Sequence, residues 1–160
     1  MKNTKISSFE IEISASVENV WEKMLGDEGY RIWTLEFNPA GSWYEKDNIG
    51  DFITGEKVKF LGPNPSVEGE LGGMLSFVKE VRKLEFISFE HRGYLLGDKE
   101  ITDTPEILSW APAYENYTFE KLSEDKTKIK IDIEMSIEYA DMMAAMWPKA
   151  LLKLKEICER

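Results

Sequence analysis

The stretch from Tyr139 to Arg160, YADMMAAMWPKALLKLKEICER, constrains this chain more than any other. Its apolar residues fall at Met143, Met146, Trp147, Ala150, Leu151, Leu154, Ile157 and Cys158. Steps of three and four place them on one helix face. Lys149, Lys153, Glu156 and Arg160 recur on the other side. The stretch therefore reads as a long amphipathic helix with a broad apolar stripe. No other segment gives a helix of this length, and most of the rest reads as strands. A lone long helix needs a surface to lie on, and a curved sheet supplies one. Pro148 lacks an N–H and clashes with the carbonyl of Ala144. That predicts a kink over Ala144–Trp147 or a helix that begins again at Pro148, with room beneath Met142 to Met146.

Upstream, Phe9, Ile11 and Ile13 alternate with Glu10, Glu12 and Ser14, the pattern of a half-buried strand. Ser16 is a good N-cap for a short helix carrying Val20, Trp21, Met24 and Leu25 and closed at Gly26. Asp27 caps a second short helix with Tyr30, Ile32 and Trp33. Strands are expected around Trp43-Tyr44 and over Phe52–Phe60, Met74–Val81, Leu84–Arg92, Tyr114–Leu122 and Thr127–Ile137. Leu61–Gly73 reads as loop, with two prolines and four glycines. Gly93–Ala113 has no clean period and reads as a long lid-like connection. Short turns between consecutive strands favour antiparallel pairing. The expected fold is α+β: a curved antiparallel sheet of about six to seven strands around the C-terminal helix, with two short helices after the first strand. Residues 1–160 form a single domain in this reading.

The formal charge of −10 disfavours nucleic acid and anionic membrane surfaces as partners. No stretch approaches the ~20 apolar residues of a membrane span. The N-terminus has no apolar run suited to export, and the single cysteine, Cys158, makes no internal disulfide. A cytoplasmic location is expected.

Three stretches resemble the SRPBCC superfamily, the START-like or helix-grip proteins, and within it the branch related to the activator of heat-shock-protein ATPase. Ile13-Ser14-Ala15-Ser16-Val17-Glu18-Asn19-Val20-Trp21 is similar to that family's strand end followed by A-[SP]-x-E-x-V-W. Gly73, with Glu80-Val81 and Leu84-Glu85-Phe86, is similar to its E-V…R-L-x-[FY] hairpin. Trp147 to Lys155, WPKALLKLK, is similar to its W-P-x-x-L-x-x-L-K helix. Val17 departs from the frequent proline there, and only Arg82 and Lys83 separate Val81 from Leu84. The resemblance implies the helix-grip fold and a chaperone partner as one option. It implies no catalytic set, because the superfamily holds cyclases, carriers, antitoxin-type proteins and chaperone regulators.

A search for chemistry finds no catalytic constellation. One histidine, His91, and one cysteine are too few for a typical zinc site. Leu71-Gly72-Gly73-Met74 lacks a phosphate-loop lysine. No catalytic residue, metal or cofactor is assigned. Aromatic residues and methionines remain. Trp33, Trp43, Phe60, Trp110 and Tyr117 sit in elements that a helix grip turns inward, and plain core accounts for at least half of such residues. Met142, Met143 and Met146 occupy the helix's first turns, where flexible methionine suits variable guests. These eight residues and His91 are the candidate ligand-binding set. The expected function is non-catalytic binding of a small apolar or aromatic molecule, lipids included, between sheet and helix. A chaperone-regulating interaction module and a cyclase- or hydrolase-like enzyme, with His91 or a tyrosine hydroxyl as acid or base, are the alternatives.

Overall fold

The computed structural model describes residues 2–160. Strand β1 (Thr4–Ile13) is followed by helices α1 (Val17–Leu25) and α2 (Asp27–Trp33), and a short 3-10 turn over Thr34–Glu36. Strands β2 (Trp43–Lys46), β3 (Lys57–Pro63), β4 (Leu71–Arg82), β5 (Phe86–Leu96) and β6 (Lys99–Ile101) come next. A single-turn helix α3 (Pro105–Leu108), strands β7 (Ala113–Ser123) and β8 (Lys126–Ser136), and the long helix α4 (Ile137–Cys158) complete the chain. The strands form one antiparallel sheet of eight, in the order β1-β8-β7-β5-β4-β3-β2, with β6 added beside β5. Register shifts at Leu75/Ser76 and Val78/Glu80 of β4 mark bulges, which bend a strand and increase its twist.

Helix α1 starts where the Ser16 hydroxyl accepts the Asn19 N–H at 3.2 Å. The buried Thr127 hydroxyl donates to the Ala15 carbonyl at 2.9 Å, tying that start to β8. The Trp33 indole donates to the Met24 carbonyl at 2.9 Å and locks α2 onto α1. One half of the grip is solid. Ile13, Ile129, Ile131 and Ile133 of the sheet join Ala150, Leu151, Leu154 and Ile157 of α4 in a single buried cluster, with Phe9 and Ile11 packed at its edge.

Three expectations need correction. Helix α4 does not begin again at Pro148; it runs unbroken from Ile137 to Cys158 with Pro148 inside. A proline removes only one backbone hydrogen bond, and burial of Trp147, Ala150 and Leu151 on either side holds the turns together. Leu61–Gly73 is not all loop, since β3 runs on to Pro63 and β4 starts at Leu71. Phe52, conversely, precedes β3. Gly93–Ala113 is not a structureless lid. Gly93–Leu96 continues β5, β6 pairs with it, and α3 buries Ile107. The glycines misled the reading because they mark close backbone approach in strands as well as turns. A Cβ on Gly73 would lie 1.8 Å from the Phe60 carbonyl oxygen, and one on Gly93 would lie 2.2 Å from that of Ile101.

Candidate functional site

The other half of the grip is open. A cavity of about 750 Å³ lies between the sheet and the N-terminal half of α4, closed on one side by α2 and the chain after it. Trp147 is its hinge with the solid half. Its ring lies 5.8 Å from Trp33, 5.0 Å from Phe37 and 6.2 Å from Tyr117, centroid to centroid. Phe60 forms the facing wall, 5.9 Å from Tyr30, 5.1 Å from Phe89 and 6.0 Å from His91.

Of the residues singled out from sequence, Trp33, Phe60, His91, Trp110 and Tyr117 line this cavity, as do Met142 and Met143. Met142 stands at the rim and is 52% exposed. Trp43 and Met146 do not line it. Trp43 packs against Leu61, Leu75 and Leu95 with Arg31 over its ring, while its neighbour Tyr44 points the other way and donates to the Leu25 carbonyl at 2.7 Å. Alternation along β2 therefore turns Trp43 away. Met146 lies four residues after the exposed Met142, on the flank of α4, and is only partly buried.

At the cavity's polar end His91, Glu115 and Tyr117 line the wall, and the buried Ser76 stands behind His91, four linked side chains on three neighbouring strands. Ser76 of β4 stands opposite His91 of β5, and the Ser76 hydroxyl lies 2.6 Å from His91 Nδ1. Glu115 of β7 is one diagonal step from His91, and its Oε1 lies 2.9 Å from Nε2. The Tyr117 hydroxyl donates to Glu115 Oε2. Glu115 accepts on both oxygens, so in the neutral ring Nε2 carries the proton and Nδ1 accepts from Ser76. Burial, and then the charge of Glu115, hold the Tyr117 hydroxyl well above its ordinary range. Tyr30 is shifted the same way by the same two causes. Both phenols are thereby held in the protonated form, and Tyr117 donates to Glu115.

Two further donors stand nearby without partners: the buried indole N–H groups of Trp147 and Trp110, both lining residues. Unsatisfied buried polar groups are rare and call for an explanation. Glu134 also lines the cavity, but Lys2 lies 3.1 Å from it and the Thr4 hydroxyl donates to it at 2.7 Å. Cys158 is elsewhere. It borders a small hollow with Asn19 and Lys23, and burial pushes its thiol up to about 12. Among the described residues, no group of three His, Cys, Asp or Glu side chains is placed to hold a metal ion. No described helix is long and apolar enough to cross a membrane.

Sequence reading missed Glu115, Ser76 and Tyr30. The signal for Glu115 was present: Ala113, Glu115, Tyr117 and Phe119 share one strand parity, and the other three are buried. A carboxylate on the inward row of a strand is worth marking for that reason alone.

No family model and no curated protein sequence matches this chain. Solved structures do. The Aha1 dimer from Colwellia psychrerythraea aligns with 97% of this chain and 96% of its own at 18% identity, with a TM-score of 0.65. A protein from Chromobacterium violaceum aligns over 100% and 99% at 18% identity and a TM-score of 0.64. The di-domain ARO/CYC StfQ of the steffimycin biosynthetic pathway aligns with 96% of this chain at 13% identity and a TM-score of 0.62. There the match spans 44% of StfQ. These likenesses define the architecture, a helix-grip fold.

Proposed function

We propose that the protein binds a small, mainly apolar or aromatic molecule in the cavity between sheet and α4, without transforming it. The observation that carries this reading is the cavity itself. About 750 Å³ is the size of a small-molecule site, and aromatic walls with a few converging polar groups are the usual lining. Unpartnered indole donors at the wall fit a guest with hydrogen-bond acceptors. An enzyme using a tyrosine as acid is disfavoured, because both cavity phenols are pushed toward retaining their protons. Regulation of a chaperone ATPase, suggested by the Aha1 likeness, needs a docking face and gives no role to an open cavity.

Two measurements test the proposal. Native mass spectrometry of protein from its own host should detect a co-purifying small molecule. A neutral apolar dye should bind one per chain and be displaced by small aromatic compounds. A protein that carries nothing and binds no dye removes the reading.

A further inference from the structure

We propose that the guest carries a basic amine, and that the cavity selects lipophilic amines over alcohols and carboxylic acids of the same skeleton, through the carboxylate of Glu115. This deepens the ligand-binding reading above and rests on it.

The argument starts from charge compensation. A buried carboxylate is tolerated when it is paired. Glu134 meets that condition through Lys2. Glu115 does not. Its side chain is 16% exposed, and its two partners are the His91 imidazole and the Tyr117 phenol, neither of which is a permanent cation. Among the described lining residues there is no lysine or arginine. One hydrogen bond to each oxygen also leaves acceptor capacity, since a carboxylate offers about four lone-pair sites. The polar end thus presents a carboxylate with open acceptor positions to a cavity walled by aromatic rings.

The walls point the same way. Tyr30, Phe60, Tyr117 and Trp147 present aromatic rings around this end of the cavity. Aromatic faces attract cations, most strongly where water is excluded. Glu115 accepts from the Tyr117 hydroxyl and lines the cavity beside Tyr30, which places the carboxylate against the same space. The chain's net charge of −10 adds a field that favours cations and opposes anions. An ammonium group would supply the missing countercharge, and its apolar body would fill the aromatic chamber. A carboxylate guest would bring a second negative charge beside Glu115.

The test uses the full chain, a neutral dye such as Nile red, and three competitors: phenylbutylamine, phenylbutanol and phenylbutyrate. It is run at about pH 8, where the amine competitor is protonated. The amine should displace the dye at a concentration at least about tenfold lower than the alcohol, the scale of one charge-assisted hydrogen bond. The acid should be weaker than the alcohol. Glu115→Gln should bring the amine-to-alcohol ratio to within about twofold of unity, because the amide accepts a hydrogen bond but carries no charge. Equal potency of amine and alcohol in the parent protein overturns this inference and leaves the ligand-binding reading intact. An unchanged ratio in Glu115→Gln overturns the role of Glu115. If the dye does not bind and no competitor is detected calorimetrically, both readings fall. The parent comparison decides by itself, so a variant that fails to fold does not blunt the test.

Discussion

Helix α4 does two jobs, and paired substitutions separate them. Leu154 is fully buried in the solid half of the grip. Leu154→Ala deletes three carbon atoms, about 2.4 kcal/mol of transfer energy at about 0.8 per methylene. The void left among the sheet isoleucines adds to this, and buried Leu→Ala changes cost roughly 2.7–5 kcal/mol in total. We expect about 3–4 kcal/mol, or a drop in Tm of about 10 °C for a chain of this size. Met143 is only partly buried, at the edge of the same cluster, and its other side faces the cavity. Met143→Ala enlarges a space that already exists, so its cost should stay under about 1 kcal/mol. Dye binding should show the opposite order, with Met143→Ala about three- to tenfold weaker and Leu154→Ala unaffected at temperatures where it is folded. Urea unfolding monitored by circular dichroism gives the stabilities, and dye titration gives the affinities. Similar stability costs for the two variants, or dye binding lost in Leu154→Ala alone, would refute the division of the helix.

Gly73→Ala should destabilise by about 2–4 kcal/mol in urea unfolding, because its Cβ meets the Phe60 carbonyl across the β3–β4 ladder; a cost below about 1 kcal/mol would mean that β3 moves aside freely. Tyr117 has its folded pKa raised above the unfolded value of about 10, so above that pH the folded state keeps a proton that the unfolded chain has lost. Its stability contribution is therefore whole below about pH 10 and falls as pH rises beyond it, by up to about 1.4 kcal/mol per pH unit. Unfolding free energies of the parent and Tyr117→Phe from pH 8 to 11 should diverge in slope above about pH 10, and parallel curves would contradict the assignment. Amide exchange should be faster over residues 99–101 than over residues 129–133, because β6 is a short, exposed strand and β8 is paired on both sides with its inward residues buried; equal protection would show the β5–β6 extension to be part of the rigid sheet.

The elements were legible where a hydrophobic period ran long. Ile129, Ile131 and Ile133 in β8, and Leu151, Leu154 and Ile157 in α4, announce both their secondary structure and their inward direction. The first short helix was legible from Ser16 and Gly26 as punctuation; the second was placed correctly, but Asp27 is its first residue and makes no cap hydrogen bond. Strand ends rich in glycine were not. Gly73 and Gly93 sit in paired strands because neighbouring backbones leave no space for a side chain, a fact of tertiary contact rather than local preference. Seven of the nine residues marked as ligand-facing line the cavity. Trp43 fails because parity in a four-residue strand has little sequence to define it, and Met146 shares a helix side with Met142 but stands one turn further along α4, where it does not line the cavity. Glu115 was passed over because charged residues are read as solvated by default.

That default also hid how rigid the polar end is. Ser76, His91 and Glu115 belong to β4, β5 and β7, which are adjacent in the sheet and hydrogen-bonded along their length. Their mutual geometry follows from strand register and does not wait for a guest. The walls differ in kind. Met142 and Met143 come from the first turns of α4, where exposure is high and side chains are flexible. In the proposed reading, a guest would meet a prearranged carboxylate on one side and an adaptable apolar surface on the other. The prearranged side loses little ordering entropy on binding, so it supplies discrimination between head groups. The adaptable side repacks around different bodies and supplies tolerance. Such a division predicts a protein strict about the polar end of its ligand and permissive about the rest.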